Sequence, residues 1–135
     1  MATVWQVEDR AEQVLGQRRA FRDCLSQVAE AADSDIDAAE LIYGELVGNA
    51  LRHAHGAVEA RLERDDSQPL VLVVRDHGPG LRSHPWPPHR DPYAESGRGL
   101  AIVELLAHEI AVGEADDGGT IVRATLPVKP REAAG

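Results

Sequence analysis

The stretch from Asp33 to Gly56 does more than any other to limit what this chain can become. Asp33-Ser34-Asp35 offers N-cap side chains, Asp37 adds negative charge to the first turn, and Gly56 supplies a stop, which predicts a helix of about twenty residues. Tyr43, Leu46, Val47, Ala50, Leu51 and Ala54 gather on one arc of that helix, which has to be buried against a sheet. Glu45, Asn49 and His53 are spaced four apart, so they form one row that drifts by roughly 40° per step and looks into a cleft on the opposite side. A carboxylate one turn before an amide is useful chemistry. The Asn oxygen can ligate a hard cation such as magnesium, and the Glu can orient or deprotonate an attacking hydroxyl. A solvated polar face would give the same row, so the spacing alone does not decide between them.

The rest of the chain supplies the partners for that helix. Val4 to Val7 reads as a short edge strand, and Ala11, Val14, Phe21, Leu25, Val28 and Ala32 recur at helical spacing. Ala57 to Arg64 and Leu70 to Arg75 look like paired strands across a turn with Asp65, Asp66, Ser67 and Pro69. From Leu81 to Ser96 the periodicity is lost and Pro85, Pro87, Pro88 and Pro92 exclude helix and central strand over most of the segment, so a mobile lid is expected over about 81–96. Gly99 to His108 resumes a helix, and Glu109 to Ala115 pairs with Thr120 to Leu126 around Asp116-Asp117-Gly118-Gly119. The tail after Pro127, about 128–135, is expected to fray. This order predicts an α+β two-layer sandwich, a mixed but mostly antiparallel sheet with helices on one face; regular β-α alternation, as in a doubly wound dinucleotide fold, is absent.

Size and charge narrow the choice further. With 135 residues and 43% hydrophobic content the chain suits one domain, residues 1–135, and is short for two. A net charge of -9 argues against a general nucleic-acid or anionic-membrane surface. No run of about 18 apolar residues occurs, and Met1 to Arg10 lacks the order of a secretory signal, so a cytoplasmic location without membrane contact is expected. Cys24 is the single cysteine, which excludes an internal disulfide and a cysteine-based zinc site and leaves a role as core filler.

Three further segments can carry chemistry. Val71 to Val74 ends in Arg75-Asp76-His77-Gly78-Pro79-Gly80, where a carboxylate at a strand end can accept from an exocyclic amine such as adenine's while Gly78 and Gly80 permit close approach. A tight turn after a strand has the same composition. Gly97-Arg98-Gly99-Leu100 opens the next helix, and its unpaired N–H groups make an anion site or merely a helix entry. Gly118-Gly119-Thr120 is a hairpin turn first and a ligand contact second. Arg52, Arg75, Arg82, Arg90 and Arg98 lie in or beside these segments and read either as a local positive field or as solvated charge. His77, His84 and His89 lack the ordered spacing of a metal cluster, and Trp86 and Tyr93 read as loop anchors before nucleotide or partner contacts.

Taken in order, the four segments resemble one family. Glu45-x-x-x-Asn49-Ala50-x-x-His53 is similar to the N box of the GHKL superfamily, Asp76-x-Gly78-x-Gly80 to its first glycine box, Gly97-x-Gly99-Leu100 to its second, and Gly119-Thr120 to its final threonine element. The match runs from about Ala38 to Leu126. The short lid, the Ser96-Gly97-Arg98-Gly99-Leu100 wording and the stand-alone size look most like bacterial anti-sigma factor serine/threonine kinases, and no preceding phosphoacceptor helix pair is seen. The resemblance implies a Bergerat-type ATP-binding fold in which Asp76 binds the adenine amino group, Asn49 binds magnesium and Glu45 is the catalytic base. It further implies that Gly97 and Gly99, with Arg98 and Leu100 beside them, meet the phosphates. Gly78 and Gly80 would begin the lid, Thr120 would support the adenine through a water, and His53 would assist near the phosphates.

The expected cofactors are therefore ATP and Mg2+. The expected activity is phosphorylation of an anti-sigma factor antagonist, combined with sequestration of a sigma factor by a homodimer. The alternatives are a nucleotide-responsive binding module without phosphotransfer and a slow ATPase. Arg98 fits either phosphate or partner.

Overall fold

The computed structural model describes residues 2–7, 11–53, 58–64, 68–76, 95–115 and 118–131. In chain order the elements are β1 (Ala2–Val7), α1 (Ala11–Val28), a 3-10 turn at Ala31–Asp33, α2 (Ile36–His53), β2 (Val58–Glu63), β3 (Val71–Arg75), α3 (Glu95–Leu106), β4 (Glu109–Glu114) and β5 (Thr120–Thr125). The five strands form one sheet in the order β1-β2-β3-β5-β4. Every pairing among them is antiparallel, so the sheet has no parallel member among the described strands.

Alternation in β2 sets the two faces of this sheet: Val58, Ala60 and Leu62 are buried while Glu59, Arg61 and Glu63 are half-buried. The register carries the buried face across to Leu72 and Val74, then to Val122 and Ala124. Against that face lie Ala39, Ile42, Tyr43, Leu46, Val47 and Ala50 of α2, with Phe21 and Leu25 of α1 and Val103 of α3. These α2 positions repeat at steps of three and one, so a single helical stripe fills the centre of the sandwich. Tyr43 lies flat on Phe21, with ring centroids 4.4 Å apart and planes 16° off parallel. Cys24 packs half-buried at the margin of this core. The other face keeps charge. Glu63 accepts from Arg61 at 3.2 Å and from Arg123 at 2.8 Å, and these arginines flank the buried Val73 in register. Burial acts to raise the Glu63 carboxyl, but hydrogen bonds from Arg123 and Arg61 outweigh it and hold it below its ordinary value.

Local chemistry sets the helix ends. Asp35 caps α2, its Oδ1 accepting from the Ala38 N–H at 3.0 Å, with Asp37 in the first turn as expected. Across the α1–α2 seam, Arg18 Nε meets Glu40 at 3.1 Å, and Arg22 meets Asp37 at 2.7 Å and also pairs with Glu40. Gly44 leaves room for the Arg18 guanidinium, which would lie 3.3 Å from a Cβ at that position. At the β4–β5 turn, Gly118 adopts φ 87°, a left-handed conformation that glycine takes without strain.

Three sequence expectations change. Helix α1 ends at Val28, and Ala32 falls in the following 3-10 turn. Helix α3 begins at Glu95, so Glu95 and Ser96 belong to it and not to the lid; the remainder of the expected lid lies outside the described residues. The tail does not fray through Arg131. Val128 is buried, Leu70 N–H donates to its carbonyl at 3.1 Å, Glu30 N–H donates to Lys129 O at 2.8 Å, and Arg131 N–H donates to Val28 O at 2.7 Å. Pro127 marks the start of the expected fraying, yet its carbonyl accepts from the Asp35 N–H at 2.8 Å and so helps to hold this segment. Among the described residues, no helix is long and apolar enough to cross a membrane.

Candidate functional site

Helix α2 delivers the first two candidates. Glu45 and Asn49 sit one turn apart, both half-buried, and neither makes a hydrogen bond or ion pair among the described residues. At about 100° per residue, Asn49 falls within roughly 20° of the buried Ile42. The polar row therefore runs along the border of the buried stripe and not opposite it, which explains its partial burial. His53 is the last residue of α2.

Asp76 follows the last residue of β3, one rung beyond the Arg75–Ile121 pair. Its backbone N–H donates to Thr120 O at 3.0 Å, and its Oδ1 accepts from the Thr120 N–H at 3.1 Å. Two residues 44 positions apart in sequence thus form a closed pair at the end of the β3–β5 ladder. The backbone bond fixes where the half-buried carboxylate points. Sequence reasoning linked Thr120 to the site as a support for the adenine through a water and missed that its N–H orients Asp76. A strand end followed by Asp and a strand start at Thr are the only local signals of that contact, and antiparallel register is what joins them.

Gly97, Arg98, Gly99 and Leu100 lie in the first turns of α3, which starts at Glu95, four residues before the expected start at Gly99. Helix α3 packs on α2, and α2 packs on β3, so the helix bearing Glu45 and Asn49 contacts both the strand that leads to Asp76 and the helix that bears the Gly-x-Gly pair. Gly78 and Gly80 lie outside the described residues, as do His77, His84, His89, Trp86 and Tyr93. Asn49 suits magnesium chemically, since its amide oxygen, without a partner among the described residues, is a hard ligand. Among the described residues no group of three or more His, Cys, Asp or Glu could hold a metal unaided. A cation here would need most of its ligands from phosphates and water, the usual arrangement for magnesium.

Two grooves lined wholly by described residues lie elsewhere. One, of about 500 Å³, is bounded by Ser34, Asp35, Pro69, His108 and Lys129. The other, of about 560 Å³, lies on the charged sheet face beside Glu63, Arg123 and Thr125. Both adjoin Pro69, whereas Asp76 and Thr120 close the other end of β3 and β5, so neither of these two grooves adjoins the candidate chemistry.

Comparison with known proteins bears on this arrangement. The family profile described as the histidine kinase-like ATPase domain matches residues 7–126. The signal transduction histidine-protein kinase AfsQ2 of Streptomyces coelicolor is 33% identical over 133 residues, which cover 86% of this chain and 25% of that protein. The sensor histidine kinase component HK1 of Mycobacterium tuberculosis is 33% identical over 107 residues, 69% of this chain and 62% of that protein. The chain thus spans less than two thirds of the length of either relative. Among solved structures, the Acinetobacter baumannii histidine kinase AdeS superimposes with a TM-score of 0.51 at 22% identity, covering 92% of this chain and 66% of that one, a likeness of fold.

Proposed function

We infer that this chain, which belongs to the histidine kinase-like ATPase domain family, binds ATP with magnesium and passes the γ-phosphoryl group to a serine or threonine hydroxyl of a protein partner. The observation that carries the reading is the Glu45–Asn49 pair, one turn apart and without partners among the described residues, on a helix packed against the one that bears Gly97 and Gly99. Asp76, oriented by the Thr120 N–H, accepts from the adenine amine. Glu45 takes the proton of the incoming hydroxyl as the oxygen attacks phosphorus, and ADP leaves. Backbone N–H groups near Gly97 and Gly99 hold the phosphate tail, with Arg98, Leu100 and His53 beside them. Gly78 and Gly80 lead into the lid. Magnesium, held by Asn49, supplies charge neutralisation across the phosphates when bound. The Ser96-Gly97-Arg98-Gly99-Leu100 wording favours the anti-sigma type, a cytoplasmic homodimer that sequesters a sigma factor and phosphorylates its antagonist.

A second reading, transfer to a histidine, is favoured by the names of the two curated relatives, both histidine kinases. The two are separated by the stability of the product. The protein and its Glu45→Ala variant are incubated with magnesium and γ-labelled ATP in a lysate of the source organism. An acid-stable label on one protein, present only with wild type, supports serine or threonine transfer. A label lost in acid and kept in alkali supports histidine transfer. No label, with magnesium-dependent ATP binding intact by calorimetry, favours a nucleotide-responsive binding module.

A further inference from the structure

The bond that aims Asp76 hangs on the turn that leads into β5. Thr120 N–H meets Asp76 Oδ1 at 3.1 Å, and the carbonyl of the same peptide unit, Gly119 O, accepts from the Ala115 N–H at 2.7 Å. The unit is planar, so a rotation that takes the Gly119 carbonyl off Ala115 also takes the Thr120 N–H off the carboxylate. Ala115 is a firm post for it. That residue is buried, it follows the Glu114–Thr120 rung that ends the β4–β5 ladder, and its own carbonyl accepts from the Gly118 N–H at 2.9 Å. Gly118 closes the turn with φ 87°, and a Cβ added there would have nothing within 4 Å. Space does not call for glycine at this position; the backbone conformation does.

We propose that Gly118 is a positioning residue for base recognition: its left-handed backbone sets the Gly119–Thr120 peptide, which holds the Asp76 carboxylate ready for the exocyclic amine of the purine. The inference rests on the reading of Asp76 as the adenine acceptor and adds that selectivity for an amino-bearing base is built into the backbone of the β4–β5 turn, some forty residues from Asp76 in sequence. Orientation matters because a hydrogen bond weakens steeply as its angle closes. An acceptor already held in place also has less freedom to lose when the ligand arrives. Once the Gly119–Thr120 peptide tilts, Asp76 keeps its charge but loses its aim. A purine that lacks the amine has nothing to donate to the carboxylate, so its binding is indifferent to that aim.

Gly118→Val and Gly118→Asn make a matched pair for the test. Both side chains enter the same open space, but asparagine tolerates the left-handed conformation and a β-branched residue does not. Calorimetry in magnesium with ATP, and with purine riboside triphosphate, which lacks the amine, reads the contact itself, and the melting temperature reads the fold. Wild type is expected to prefer ATP by about tenfold or more. Gly118→Asn keeps most of that preference, whereas Gly118→Val falls to within about threefold, through weaker ATP binding at an unchanged affinity for the other nucleotide. Where Gly118→Val does not fold, Gly118→Ala takes its place in the same comparison. A variant that weakens both nucleotides equally has a turn that serves only the fold, and this overturns the inference. If the wild type discriminates and Gly118→Val discriminates as well, the inference falls alone and the adenine reading of Asp76 stands. If the wild type binds both nucleotides equally, the adenine contact itself is removed and the inference goes with it.

Discussion

The first half of α2 and its second half use their polar residues in opposite ways. Asp37 and Glu40 are tied to Arg18 and Arg22 of α1, whereas Glu45 and Asn49 face no partner among the described residues. The Glu40 side chain keeps 21% of its surface exposed, and Glu45 is likewise half-buried, so burial does not separate them. What separates them is commitment: two guanidinium groups already engage both oxygens of Glu40. A partly desolvated carboxylate and amide without partners among the described residues keep spare bonding capacity. The first half holds the helices together, and the second half is the part we propose for a ligand.

Removing Glu45 gives the largest expected effect on that contrast. Glu45→Ala should lower phosphotransfer by roughly 10²–10⁴-fold, the range for loss of a positioned general base, while ATP affinity stays within about threefold and the melting temperature barely moves. Single-turnover transfer with calorimetry beside it reads both quantities. Equal loss of binding and transfer would show that Glu45 is a binding group and not the base.

Asp76→Asn comes next, because a charge-assisted hydrogen bond to a ligand amine is at stake. A loss of about 1.5–3 kcal/mol, roughly 10- to 150-fold in ATP affinity, is expected by calorimetry. The asparagine oxygen can still accept from the Thr120 N–H, so the end of the β3–β5 ladder survives and thermal stability should hold. Unchanged affinity would remove Asp76 from the adenine site.

Glu40→Gln probes the structural half. It weakens two cross-helix ion pairs in a partly solvated setting, so about 0.5–1 kcal/mol of stability is expected to go, a few degrees in melting temperature, with ATP affinity unchanged. A fall in ATP binding comparable to that of Asp76→Asn would mean that the two halves of α2 are coupled and that the contrast drawn above is too clean.

This division was only half legible in the sequence. The spacing of Glu45, Asn49 and His53 marks a shared row, and Asp35 reads correctly as the cap, because both depend on contacts within one turn of helix. The strands and both hairpins follow from alternation and turn residues for the same local reason. The Arg18–Glu40 pair, the Thr120 bond to Asp76 and the docking of Val128 all join residues far apart in the chain, and no local pattern announces them. Helix α3 starting at Glu95 was hidden because Gly97 and Gly99, poor helix formers, sit in its first turns. Even the side of α2 was misjudged: the row borders the buried stripe, a distinction that depends on where α3 and the sheet pack.

Tyr43 gives the smallest effect and tests the core beneath both halves. Its ring stacks on Phe21, but its buried hydroxyl finds no hydrogen-bond partner among the described residues. Tyr43→Phe keeps the stack and removes the unsatisfied group, so stability at neutral pH should stay level or rise by up to about 1 kcal/mol. Burial also pushes the Tyr43 hydroxyl up to about 12, above the value of about 10 expected for an unfolded chain. Between those two values the unfolded state has lost the proton and the folded state keeps it, so the unfolded state binds fewer protons and stability falls as pH rises. Wild type should therefore lose melting temperature from about pH 9.5 upward more steeply than Tyr43→Phe, with the two curves parallel below that. Parallel curves throughout would mean that the hydroxyl reaches water or a partner in solution, and the core under α2 would then be looser than its packing implies.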